Sequence, residues 1–123
     1  FSLEMNNVQL VNRLISNVCE IPGNKMLNGQ LTPDEWDRLD KRIGNLQSAP
    51  LYIDDTPGLS IFELRTKARR LVKEKGVKIL MIDYLQLMNA NGMKFGSRQE
   101  EVSKISQSLK GLAKELDIPI LAL

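Results

Sequence analysis

The sequence contains no histidine. That absence excludes a serine–histidine–acid relay, a histidine general base and histidine-ligated zinc within the chain. Cys19 is the only cysteine, so neither an internal disulfide nor a thiolate metal cluster can form, a usage that fits a reducing compartment. Its neighbours Ile15, Ser16, Asn17 and Val18 read as a helix flank, which favours a packed structural thiol over a reactive one. No apolar run approaches the roughly 20 residues of a bilayer span, and no signal peptide is visible. The sequence therefore predicts a cytoplasmic protein without a membrane partner. A charge excess of one sign is also missing: 17 Lys and Arg face 15 Asp and Glu, a net +2. That is too mild to announce nucleic acid, and it leaves a local basic patch open.

What is present suits one globular domain or part of one, with 123 residues, 42% of them apolar and 26% charged. The chain opens on Phe1-Ser2-Leu3-Glu4-Met5 and closes on Ile118-Pro119-Ile120-Leu121-Ala122-Leu123. Ending inside an apolar strand exposes sticky edges that invite strand exchange, so a piece of something larger is expected.

The organising stretch is Ile79-Leu80-Met81-Ile82-Asp83-Tyr84-Leu85-Gln86-Leu87-Met88. Four apolar residues in a row predict a strand buried on both faces of a sheet. The run stops on Asp83, at the carboxyl end where open α/β sheets bind ligands. A lone acid there suits a hydrated Mg²⁺ beside a phosphate. The commoner role for an acid in this pattern is a cap on the following turn.

Taken in order, Phe1 to Leu3 read as the end of a strand with Glu4 at its carboxyl edge. Val8, Val11, Leu14, Ile15 and Val18 recur at helical spacing, predicting a helix from about Asn7 to about Cys19. Pro22-Gly23-Asn24 breaks it, and Lys25 to Gln30 form a connection. Thr32-Pro33-Asp34-Glu35 is a helix start, with Trp36, Leu39, Ile43 and Leu46 as the apolar stripe and Trp36 expected in the core. Leu51 to Ile53 form a short strand ending on Asp54 and Asp55, and Thr56-Pro57-Gly58 turns the chain. Ser60-Ile61-Phe62-Glu63 is a second capping box, opening a helix with Ile61, Leu64, Ala68 and Leu71 inward that stops at Gly76. Its outer face carries Arg65, Lys67, Arg69, Arg70, Lys73 and Lys75. Without interleaved aromatics this reads as a solvated face before a nucleic-acid patch.

Val77 to Asp83 form the organising strand, and Asn89 to Ser97 a Gly- and Asn-rich loop of functional length. A helix resumes near Arg98, with Val102, Ile105, Leu109, Leu112 and Leu116 inward; Asp117 ends it, and Ile118 to Leu123 form the last strand. Strands separated by helices predict an α/β fold, a parallel sheet with helices on both faces, and no linker divides it.

Three strands end on acids at one sheet edge: Glu4, Asp54 with Asp55, and Asp83. Acids gathered there can coordinate Mg²⁺ and orient a water for nucleotide hydrolysis. Competing roles are turn formation for Asp54 and Asp55, preferred before Thr56-Pro57-Gly58, and a first-turn helix acid for Glu4. A phosphate cradle of the form G-x-x-x-x-G-K-[ST] is missing, because none of the eight glycines precedes a lysine. The chain by itself is expected to bind nucleotide poorly or not at all.

Phe1-Ser2-Leu3-Glu4-Met5, Tyr52-Ile53-Asp54-Asp55-Thr56-Pro57-Gly58, Ile82-Asp83-Tyr84-Leu85-Gln86-Leu87-Met88 and Arg98-Gln99-Glu100-Glu101-Val102, in this order, resemble the RecA-like motor domain of DnaB-type bacterial replicative helicases. The similarity runs essentially end to end. It implies an ATP- and Mg²⁺-dependent homo-hexameric ring that translocates on single-stranded DNA and unwinds duplex at the fork, with primase and a helicase loader as partners. By the same resemblance, Asp83 matches the Walker B aspartate that holds Mg²⁺ through water, and Glu4 matches the glutamate that polarises the attacking water. Both would face ATP. Lys94, Gly96 and Arg98 fall in a loop that points toward the ring's channel, where backbone amides and basic side chains track DNA phosphates. The resemblance also puts the phosphate-binding loop before Phe1, and the sensor residue, arginine finger and second DNA loop after Leu123. Residues 1–123 would then be the central part of the motor, inactive alone. Two rival readings are a Mg²⁺-dependent nuclease or phosphotransferase with Glu4, Asp54, Asp55 and Asp83 around two metals about 4 Å apart, and a non-enzymatic assembly scaffold.

Overall fold

Three capping boxes set where three of the helices begin. In the computed structural model, which describes residues 1–123, Asn6, Thr32 and Ser60 each accept a hydrogen bond from the backbone three residues on, and Gln9, Glu35 and Glu63 reach back in return. Such a reciprocal cap satisfies two amides that the first helical turn leaves without partners. The chain folds into two compact units, residues 5–52 and residues 1–4 with 53–123.

Residues 5–52 form α1 (Asn7–Cys19), α2 (Gly23–Asn28) and α3 (Pro33–Gln47). The bounds of α1 and α3 follow the sequence reading. By contrast, α2 replaces the expected connection: the Pro22 carbonyl accepts from Lys25 N at 3.0 Å and Met26 N at 3.3 Å, and Gly29 closes the helix at φ 65°. α1 packs on α3. The two are clasped by polar groups: Arg42 Nη1 donates to Val18 O at 2.9 Å and to Glu20 Oε1 at 2.8 Å, and Arg38 donates to Glu20 O at 3.3 Å. Cys19 and Ile21 are buried.

Trp36 is not core; it is 50% exposed, and Glu35 beside it is buried. The reason lies in the partners of Glu35. Glu35 closes the Thr32 cap with Oε2 while Oε1 accepts from Lys25 Nζ at 2.8 Å, so α3 turns that residue inward and Trp36 outward. The Lys25 bond, then the Thr32 backbone amide, hold the Glu35 carboxyl at about 2, below its ordinary 4.5.

In the other unit, α4 (Ile61–Lys75), β1 (Leu80–Ile82), a 3₁₀ turn at Leu85–Leu87, α5 (Arg98–Leu116) and β2 (Ile120–Ala122) follow in order. β1 and β2 are parallel, with Leu80 opposite Ile120 and Ile82 opposite Ala122. The opening residues extend the ladder on the other side of β1: Phe1 N donates to Met81 O at 2.8 Å, Asp83 N to Phe1 O at 3.0 Å and Leu3 N to Asp83 O at 2.7 Å. Residues 51–53 form no strand, and Ser2 N donates to Asp54 O at 2.8 Å.

Leu64 and Ala68 of α4 and Ile105, Leu109 and Leu112 of α5 share one apolar cluster with Leu80 and Ile82. Within this chain β1 is thus buried on one face, not both: Ile82 is fully buried while Met81 is 56% exposed. Successive strand side chains point to opposite faces, and α4 and α5 cover the same one. Asp117 ends α5 in the left-handed conformation at φ 53°.

Candidate functional site

Parallel pairing brings two of the acids to one edge. The bond from Leu3 N to Asp83 O, 2.7 Å, fixes the register in which Glu4 leaves the ladder beside the carboxyl end of β1. Asp83 is half-buried and Glu4 is exposed to solvent. The peptide that follows Asp83 is cis.

Asp54 reaches the same edge through Ser2 but is occupied otherwise. Its Oδ1 accepts from Thr56 N at 3.1 Å, the side-chain-to-backbone bond of an Asx turn, and its Oδ2 accepts from Lys67 Nζ at 2.7 Å. Lys67 also donates to Thr56 Oγ1 at 2.7 Å. Burial would raise the Asp54 carboxyl; the hydrogen bonds from Lys67 and Thr56 prevail and hold it below the usual carboxylate range. The turn-forming role is therefore the one seen for Asp54. Lys67 was legible only as one cation on a basic face, because its partners lie 11 and 13 residues earlier.

No three Asp, Glu, Cys or His side chains gather in a way that could hold a metal ion. A two-metal acid cluster of Glu4, Asp54, Asp55 and Asp83 is thereby contradicted, and with it the geometry that a nuclease reading requires. A Mg²⁺ held by one carboxylate, waters and phosphate oxygens needs no such cluster, and a half-buried Asp83 at a strand end fits it.

The loop after β1 is tied down at both ends. Asn89 N donates to Leu59 O at 3.4 Å, Ile61 N to Asn89 O at 3.0 Å and Asn89 Nδ2 to Gly58 O at 2.7 Å. At the far end, Arg98 Nη2 donates to Gln86 O at 2.5 Å and Met88 O at 2.6 Å, and Nη1 to Glu101 Oε2 at 2.5 Å. Glu101 Oε1 accepts from Ala90 N at 2.8 Å. Gly96 N donates to Glu100 Oε2 at 2.9 Å. Of the three predicted DNA-contacting residues, Lys94 is exposed, whereas the Gly96 amide and Arg98 guanidinium are engaged within the chain. The role of Glu101 was not foreseen. The Ala90 amide, then Arg98, hold its carboxyl below the usual range.

The basic face of α4 is largely ion-paired: Arg69 grips Glu115 of α5 with two bonds at 2.6 and 2.9 Å, and Arg70 meets Glu74 at 3.1 Å. No helix is long and apolar enough to cross a membrane.

Comparison with known proteins converges on one family. A family model described as DnaB-like helicase C terminal domain matches residues 1–123. The chain is 48% identical over 123 residues to the replicative DNA helicase DnaB of Mycobacterium leprae (strain TN), covering all of this chain and 20% of that protein. It is 46% identical over 123 residues to the replicative DNA helicase DnaB of Geobacillus stearothermophilus, covering all of this chain and 27% of that protein. The chain thus spans about a quarter or less of the length of these curated relatives. Among solved structures, a DnaB-like replicative helicase described with its interactions with primase superposes with a TM-score of 0.88 at 34% identity, over 99% of this chain and 30% of that one. A second solved structure, described as an ATPase domain, superposes equally well, at a TM-score of 0.88 and 34% identity over 99% of this chain and 44% of that one. The half-buried acid ending β1, the acid that leaves the neighbouring strand and the tethered loop after β1 therefore sit in a RecA-like framework, and the chain belongs to the DnaB-like helicase C-terminal domain family.

Proposed function

We propose that the protein to which this chain contributes is an ATP-dependent replicative DNA helicase, in which residues 1–123 are the central part of the motor. It works as a homo-hexamer on single-stranded DNA in the cytoplasm, with primase and a helicase loader as partners. The observation that carries this reading is the register between residues 1–3 and β1, which brings Glu4 and Asp83 to one sheet edge in a chain of helicase family.

Asp83 would hold Mg²⁺ through water, and Glu4, open to solvent, would accept the proton of the attacking water. When bound, the metal neutralises charge developing on the transferred phosphoryl oxygens. Lys94, exposed at the middle of the loop, would meet DNA phosphates without reading sequence. Gly96 lets the loop pass Glu100 closely: a Cβ there would lie 3.2 Å from Glu100 Oε2. The chain lacks a lysine-bearing phosphate loop, so the isolated segment is inactive and turnover belongs to the assembled protein.

The test is ATP turnover by the full-length protein with and without single-stranded DNA. Asp83→Asn and Glu4→Gln should each lower turnover by a factor of about 10² to 10⁴ with unchanged secondary structure and hexamer content. Turnover within a few-fold of the parent in both variants would refute the assignment and favour a scaffold role.

A further inference from the structure

We infer that Arg98 and Glu101 form a latch that positions the Lys94 loop for the DNA backbone, and that Arg98 acts through this latch and not as a phosphate contact. The inference deepens the helicase reading and rests on it. Arg98 donates two bonds to the carbonyls of Gln86 and Met88, in the turn that follows Asp83, and a third to Glu101. The second Glu101 oxygen holds Ala90 N. One ion pair at the start of α5 therefore fastens residues 86–90, the stretch between the acid-bearing strand end and the loop.

That stretch is firm ground for a latch. Met88 and Ala90 are buried in the core cluster, and Asn89 is bonded to residues 58–61. The span from 91 to 97 runs between two anchored ends, with Lys94 at its centre and the Gly96 amide caught by Glu100. A planar guanidinium can bridge two carbonyls and a carboxylate at once; an ammonium presents a point charge without that fork. Glu101 is 19% exposed as a side chain, placed to hold backbone and cation together.

The test sets charge against geometry in the full-length protein, with fluorescent oligo-dT as the probe in an anisotropy titration across a salt series. Removing an acid beside a phosphate track should tighten binding if charge alone matters. The latch demands the opposite: Glu101→Gln should bind about tenfold more weakly, the loss of one charge-assisted bond, with an unchanged salt slope. Arg98→Ala should weaken binding likewise and Arg98→Lys should fail to restore it although it keeps the charge, whereas Lys94→Ala should lower the slope by about 0.7, the value for one single-strand contact. Hydrogen exchange without DNA supplies a second arm, in which Glu101→Gln should speed exchange across 88–90. Equal or tighter binding by Glu101→Gln, rescue by Arg98→Lys, or unchanged exchange would each overturn the latch. If the parent protein binds no oligo-dT while Glu101→Gln still loosens 88–90, the helicase reading fails and the latch's DNA role falls with it, although the clasp itself exists.

Discussion

Lys67→Met isolates one interaction on which the acid-bearing edge depends. Lys67 Nζ lies 2.7 Å from Asp54 Oδ2 and 2.7 Å from Thr56 Oγ1, and Met keeps the apolar stem while removing the charge. A hydrogen bond to a charged group contributes about 1.5–3 kcal/mol when well shielded. Here the side chains are 37% and 25% exposed, so solvent screening reduces the pair's share toward the exposed-pair range, about 1 kcal/mol. Asp54 would keep its bond from Thr56 N and lose its countercharge, leaving burial, which raises its carboxyl, less opposed. The assay is a double-mutant cycle of Lys67→Met with Asp54→Asn by urea denaturation at neutral and acid pH. The folded Asp54 carboxyl lies below its unfolded value of 3.8. Its contribution is therefore complete above that value and lost as pH falls through the lower, folded one. A coupling of about 1 kcal/mol at pH 7 that disappears in strong acid is expected. Coupling below about 0.3 kcal/mol, within the additivity error of independent sites, or coupling that persists in strong acid, would refute the reasoning.

Two further outcomes follow from burial. Ile82→Ala, at a fully buried site under α4 and α5, should cost about 2–5 kcal/mol, whereas Met81→Ala on the open face should cost under about 1 kcal/mol; equal losses in denaturant titration would mean that the covered face is misassigned. In the helical unit, Glu35 is held at about 2 against an ordinary 4.5, so its contribution is full above pH 4.5 and lost as pH falls toward 2. Glu35→Gln should flatten the acid dependence of helix content in that window, and an unaltered acid titration by circular dichroism would count against the Lys25–Glu35 clasp.

Helix ends were legible where caps are local. Thr32 and Ser60 sit within three residues of the groups they satisfy, and Gly76 and Asp117 adopt the left-handed turn that stops a helix; the Asn6 cap is equally local and went unread. Spacing misled where a partner from elsewhere chose the inward face. Trp36 stood on the apolar stripe, yet Lys25 drew its neighbour Glu35 inside. The strand expected at residues 51–53 failed because β propensity needs a paired neighbour, and Ser2 N supplies a single bond, to Asp54 O.

By itself the sequence determined the α/β class, the family and where α1, α3, α4 and α5 begin, since each depends on short-range chemistry or on motifs read in order; it missed α2 and placed a strand at residues 51–53 that does not form. It also placed Asp83 at a strand end, whereas Asp54 and Asp55 end none. Only the tertiary structure decided what those acids and cations do. Lys67 claims Asp54 from 13 residues away, Arg98 bonds the carbonyls of residues 86 and 88, and the pairing that carries Glu4 to the Asp83 edge spans 80 residues, from Phe1 to Met81. The physical reason is that a side chain's role depends on which donors and acceptors share its space, and parallel pairing and loop closure create those neighbourhoods without leaving a pattern in sequence spacing.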